Sequence, residues 1–246
     1  SLNSLESFDA SAVEITEDPK EVDTIKLKNL TSLRLHKCNI TLVGIFETTS
    51  LKSFELSSIN KIECDEIIKL LKKQKCLDEL KLDGLLCNNF FAAPEILSFP
   101  FRLKKLSITN ATITSDAFLR MHFDGLTQLI LNCSIQVENL PIDSMPNLMS
   151  LEIPFHCFER AVSTGNATVK SLKLVGIYPK KLKAALNIFK LFPSIDHLDL
   201  SQSFINNEAE AISSIQKVYP QLKSLKLPHP MPMKNNFPCL KTFSVG

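Results

Sequence analysis

The chain has 246 residues, 44% of them hydrophobic, and sets 28 Lys and Arg against 26 Asp and Glu for a net charge of +2. That balance leaves no electrostatic footprint for nucleic acid or an anionic membrane, and neither is expected as a partner. No run of about 18 apolar residues is present to span a bilayer, and no basic segment followed by an apolar stretch opens the chain as a secretory leader would.

The organisation is a repeat. Ser1 opens the chain inside what reads as an incomplete repeat, so a fragment lacking an N-terminal module is expected. The first full frame is Leu30-x-x-Leu33-x-Leu35-x-x-Cys38-x-Ile40. Aligned on the first apolar residue, repeats begin at Leu5, Leu30, Leu51, Leu77, Leu103, Leu126, Leu148, Val169, Ile195, Leu222 and Leu240, at spacings of 18 to 27 residues. The fourth and sixth positions are apolar in turn: Leu33 and Leu35, Phe54 and Leu56, Leu80 and Leu82, Leu106 and Ile108, Leu129 and Leu131, Leu151 and Ile153, Leu172 and Leu174, Leu198 and Leu200, Leu225 and Leu227. A short strand alternates faces with period two, so each pair points inward and the residue between points out. Such a repeat buries its apolar face only against its neighbours, which makes residues 1–246 one elongated domain and a binding surface before anything else.

Between strands, Asp65 to Lys73, Lys181 to Leu191 and Asn207 to Val218 carry helical apolar spacing, with Asp65 and Asn207 as caps. Shorter repeats are expected to cross by turns or brief 3₁₀ pieces. Four repeats are entered through an apolar residue and Pro: Met145-Pro146, Phe192-Pro193, Tyr219-Pro220 and Phe237-Pro238. Proline ends the outer segment and lets the chain turn into the strand.

This frame resembles the leucine-rich repeat over essentially the whole chain. The resemblance implies an α/β solenoid, a horseshoe or arc of about eleven repeats, with a parallel concave sheet and short helices or turns on the convex side. The family's usual ninth-position Asn is replaced by Val13, Cys38, Ile59, Leu85, Ala111, Ser134, His156, Ile177, Ser203 and Pro230. Irregular lengths, helical outer segments and Pro-x-Leu entry are similar to the intracellular repeats of F-box and ribonuclease-inhibitor-like proteins. That likeness implies a protein-interaction scaffold, the substrate-recognition part of an F-box ubiquitin-ligase receptor, docking a cullin-ligase adaptor through an F-box outside this chain. Two alternatives stand beside it: a secreted or cell-surface recognition domain, and an accessory repeat domain of an enzyme whose catalytic module lies elsewhere.

Repeat alignment also maps the strand face. The fifth-position column, Asp9, Arg34, Glu55, Lys81, Ser107, Ile130, Glu152, Lys173, Asp199, Lys226 and Ser244, alternates in sign in two runs of four about a neutral centre. It predicts a self-satisfied ion ladder. The third-position column is mostly Ser and reads as a solvated strand position. Near Ile130 the strand exits bring Asn132 and Cys133, Pro154 and Phe155, then Val175 and Gly176. An apolar patch flanked by charge is the pattern of a recognition site. Ile130, Asn132, Glu152, Phe155, Lys173 and Val175 are therefore the expected partner-binding residues on the concave face, against the alternative that Phe155 folds inward to seal the core. Cys133 is expected to be exposed.

No catalytic, cofactor or metal site is expected, and the chain is read as a non-enzyme. His36-x-Cys38 and His156-Cys157 lack the four-ligand spacing of a zinc site. Six Gly form no phosphate loop, and the carboxylates are dispersed. The lysines at Lys72, Lys73, Lys75, Lys180, Lys181 and Lys183 read as solvated outer-helix residues. Seven cysteines without end clustering fit free thiols in a reducing compartment, hence a cytoplasmic or nuclear protein. Asn-x-Ser/Thr motifs at Asn29, Asn39, Asn110, Asn132 and Asn166 keep the secreted alternative open.

Overall fold

The computed structural model describes residues 4–12, 27, 29–38, 48–58, 64–84, 102–113, 123–135, 140, 142–161, 165–205, 208–229 and 237–245. The expectations for Val13, Asn39, Ile59, Leu85, Asn207 and Pro230 fall outside them.

Eleven strands are formed, each beginning at the third position of its repeat: β1 (Ser7–Ser11), β2 (Ser32–His36), β3 (Ser53–Ser57), β4 (Glu79–Asp83), β5 (Lys105–Ile113), β6 (Gln128–Ile135), β7 (Ser150–Pro154), β8 (Ser171–Val175), β9 (His197–Asp199), β10 (Ser224–Leu227) and β11 (Thr242–Val245). Sheet order is chain order, as an α/β solenoid requires. The chain divides into two compact units, Ser1–Leu126 with Cys133–Val137, and Thr127–Asn132 with Glu138–Gly246. In the first, β1 to β5 pair in parallel and in register. In the second, parallel pairing runs from Gln128–Ile130 of β6 through β11.

One hydrogen-bond device recurs at the strand entrances. The second- and third-position N–H groups of a repeat both donate to the second-position carbonyl of the repeat before. In the first unit the acceptors are Glu6, Thr31, Lys52 and Asp78, and in the second Thr127, Met149, Lys170, Asp196 and Lys223, all at 2.7–3.1 Å. Just upstream, Pro acts as the sequence implies. Leu148 N–H closes a turn on Met145 O, and Leu222 N–H on Tyr219 O, with Pro146 and Pro220 at the second turn position that their fixed φ suits. The inward pairs form the core: Leu33, Leu35, Phe54, Leu56, Leu172, Leu174, Leu225 and Leu227 are at most 1% exposed.

A second device turns the backbone after the inward pair; it ends most of the strands, while in β5 it lies within the strand, which runs on to Ile113. Eighth-position residues Ala12, Lys37, Ser58, Gly84, Asn110 and Gly176 have φ between +51° and +76°. This left-handed turn costs a non-glycine residue about 1 kcal/mol. It aims the N–H onward: Ala12 to His36 O, Lys37 to Ser57 O, Ser58 to Asp83 O, Gly84 to Thr109 O and Gly176 to Gln202 O, at 2.8–3.0 Å.

The outer helices lie where the apolar spacing places them: α1 (Cys64–Lys73), α3 (Leu182–Phe189) and α4 (Glu208–Val218). Asp65 sits inside the first turn of α1 and does not precede it. The Lys181 start resolves into a 3₁₀ turn, Pro179–Lys181, followed by α3. One helix departs from expectation. α2 (Phe155–Ala161) follows β7 directly in a short repeat, because Phe155 and Phe158 stand three residues apart and both bury.

The missing ninth-position Asn is replaced piecemeal. The Cys38 thiol donates to Ala10 O at 3.4 Å, and Ser203 Oγ donates to Leu174 O at 3.3 Å while accepting from Ile177 N–H at 3.2 Å. Elsewhere outer residues take the task. Gln74 is fully buried, accepts from Leu51 N–H (3.1 Å) and donates to Thr48 O (2.8 Å) and Leu70 O (3.0 Å). Asn166 donates to Ile142 O (2.7 Å) and Met145 O (2.9 Å) and accepts from Thr168 N–H (2.8 Å). Next to it Gly165 leaves no room for a Cβ, which would fall 2.0 Å from Leu191 O. Tyr219 Oη donates to Phe189 O at 2.6 Å, and burial pushes its pKa up so that it remains a donor.

Gln74→Met conserves length but strands the Leu51 N–H and the Thr48 and Leu70 carbonyls. A loss of about 2–3 kcal/mol in urea unfolding is expected.

Candidate protein-recognition surface

In the first compact unit the fifth-position column behaves as a ladder. Arg34 donates to Asp9 Oδ2 (3.1 Å) and Glu55 Oε2 (3.0 Å), and Lys81 Nζ lies 2.7 Å from Glu55 Oε1. Burial acts to raise the Glu55 pKa, but the hydrogen bonds and charges of Lys81 and Arg34 outweigh it and hold the carboxyl below its ordinary value. The hydrogen bonds and negative charges of Glu55, and then of Asp9, raise the Arg34 pKa.

In the second unit the ladder stops early. Ile130, Glu152, Lys173 and Asp199 occupy consecutive register positions across β6 to β9, followed by Lys226 on β10. Lys173 Nζ meets Glu152 Oε1 at 2.8 Å. Asp199 is the last residue of a three-residue strand, and its carboxylate turns back to accept Ser201 N–H at 2.9 Å. Neither Asp199 nor Lys226 forms an ion pair among the described residues, which corrects the expectation of two complete runs of four.

Five of the six expected partner-binding residues come together on β6 to β8. Ile130, Asn132, Glu152, Lys173 and Val175 are half-buried. Asn132 Nδ2 donates to the same Glu152 Oε1 that Lys173 contacts, and Asn132 Oδ1 is buried without a hydrogen-bond partner among the described residues. The sixth residue does not belong to the surface. Phe155 is 2% exposed, because its repeat enters α2 at the eighth position where others take the left-handed turn, and the ring goes inward with Cys157 and Phe158. Cys133 is likewise buried, not exposed. β6 runs on to Ile135, so period two carries Leu129, Leu131, Cys133 and Ile135 to one side.

Among the described residues of this unit the most exposed large apolar side chains are others: Tyr178 and Phe204, each 60% exposed, and Met149 at 54%. The two aromatic rings stack at 5.8 Å between centroids and 7° between planes. Both occupy the tenth position of successive repeats, and extending the column map by two positions would have found them.

Glu55→Gln is expected to lower stability by about 1 kcal/mol at neutral pH. Because the folded pKa is depressed, the gap should be full above about pH 4.3, the unfolded value, and vanish as pH falls through the folded value in urea titrations. Phe155→Ala should cost about 3–5 kcal/mol, as for an inward aromatic, in the same assay.

No protein-family profile matches the chain. It is similar to the tubulin-specific chaperone cofactor E-like proteins of Rattus norvegicus and Homo sapiens, with 26% identity over 160 residues in each. The match covers 61% of this chain and 38% of the length of either relative.

Proposed function

We propose that this chain is a protein-recognition solenoid that handles tubulin and performs no chemistry itself. The observation that carries this reading is the similarity over 160 residues to proteins named as tubulin-specific chaperone cofactor E-like. The fold supports it: one in-register strand face, with Glu152 and Lys173 neutralising each other beside half-buried Ile130 and Val175, offers apolar contact area at low desolvation cost.

The same reading places the protein in a reducing compartment inside the cell. Cys38 is a buried free thiol, and Cys76 and Cys239 are exposed free thiols. Asn166 supports it too, since its side-chain amide is committed to Ile142 O and Met145 O and a glycan there would break those bonds. Titration of denatured native-source protein should find all seven thiols free, and glycosidase treatment should leave its mass unchanged.

The partner is tested by bio-layer interferometry of the full-length protein against tubulin heterodimer. Saturable binding is expected, weakened about ten-fold by Ile130→Glu or Val175→Glu in variants that keep the parent melting midpoint. No response to tubulin overturns the tubulin reading. Co-purification of the full-length protein with a cullin-ligase adaptor would instead support the F-box receptor.

A further inference from the structure

Residues 160–195 hold seven of the chain's 28 basic residues and no Asp or Glu, within a protein of net charge +2. Lys173 and Lys181 are paired, with Glu152 and with Glu159. Lys170, Lys180, Lys183 and Lys190 are exposed and form no ion pair among the described residues.

Two of these free cations, Lys180 and Lys183, line a groove that starts at Pro179, the residue after Tyr178. The stacked rings of Tyr178 and Phe204 stand on the loops that leave β8 and β9. Those loops are bonded to each other: Phe204 N–H to Ile177 O at 2.7 Å, Gly176 N–H to Gln202 O at 2.8 Å, and Ile177 N–H to Ser203 Oγ at 3.2 Å. The rings are thus held in place before any partner arrives, which removes much of the ordering cost of binding. From Pro179, next to Tyr178, a groove of about 460 Å³ runs between α3 and α4, with Pro179, Leu182 and Leu186 as its apolar lining, Lys180 and Lys183 as its cations and Glu210 as its single acid.

We propose that the Tyr178–Phe204 pair and the adjoining Lys180–Lys183 groove bind an acidic segment of a partner protein, an aromatic residue of that segment resting on the ring pair and its carboxylates meeting the two lysines. Charge complementarity selects this occupant: an apolar segment would leave the lysines uncompensated, and a basic one would be repelled. The surface lies at the strand exits, beyond the β6 to β8 face, and the assignment holds whichever protein the chain serves.

The test is fluorescence anisotropy with three labelled peptides: glutamates around a central phenylalanine, the same glutamates around alanine, and lysines around phenylalanine. The first should bind, about ten-fold more tightly than the second, and should weaken as salt rises. The lysine peptide should not bind. Tyr178→Ala with Phe204→Ala should remove the preference for phenylalanine, and Lys180→Glu with Lys183→Glu should lower affinity at least about ten-fold. All four residues are exposed, so both double variants should keep the parent melting midpoint. No binding of the first peptide at millimolar concentration overturns the proposal, as does undiminished binding by either double variant. Equal affinity for the alanine peptide, for duplex DNA or for phosphatidylserine vesicles overturns it in favour of a general anion patch.

Discussion

The structure depends on one carbonyl per repeat. At nine strand entrances, those of β2 to β5 and of β7 to β11, a second-position C=O accepts two successive N–H groups from the next repeat, at 2.7–3.1 Å. Two converging bonds fix both the distance and the phase between neighbours, so a shift by one residue would break the pair and turn every inward Leu toward water. Register, the inward core and the outward columns follow from that lock within each compact unit. The helical outer segments tolerate variable length because they hang between locked strands.

The lock leaves the outer backbone groups to be satisfied by whatever side chain is at hand. A regular repeat does this with one residue type; here Cys38, Gln74, Asn166, Ser203 and Tyr219 share the work. Buried backbone groups demand partners regardless of which residue supplies them. This explains how repeats of such different lengths coexist, and why Asn166, in a glycosylation-like motif, is a buried structural residue.

The strand exits carry the individuality. Six described repeats use the left-handed eighth-position turn. The repeats of Leu126 and Leu148 do not: β6 continues as strand and β7 passes into α2. There the apolar exits turn inward, and exposed apolar surface appears on the next two repeats, at Tyr178 and Phe204. Charge divides similarly. The first unit neutralises its column through Asp9, Arg34, Glu55 and Lys81, whereas the second keeps free lysines in a groove that starts at the residue after Tyr178.

The sequence by itself determined the eleven strand starts, the inward pairs, three outer helices and the parallel α/β solenoid, because these depend on a periodicity each repeat restates. It also determined that Arg34 and Lys173 face outward with acidic neighbours in the next strand. The tertiary structure alone decided the fate of Phe155 and Cys133, since the same eighth position is a turn, a strand or a helix start according to what packs beneath it. It decided as well that Asp199 caps its own turn and leaves the ladder, because strand length, which the column map does not carry, sets which neighbour a carboxylate can reach.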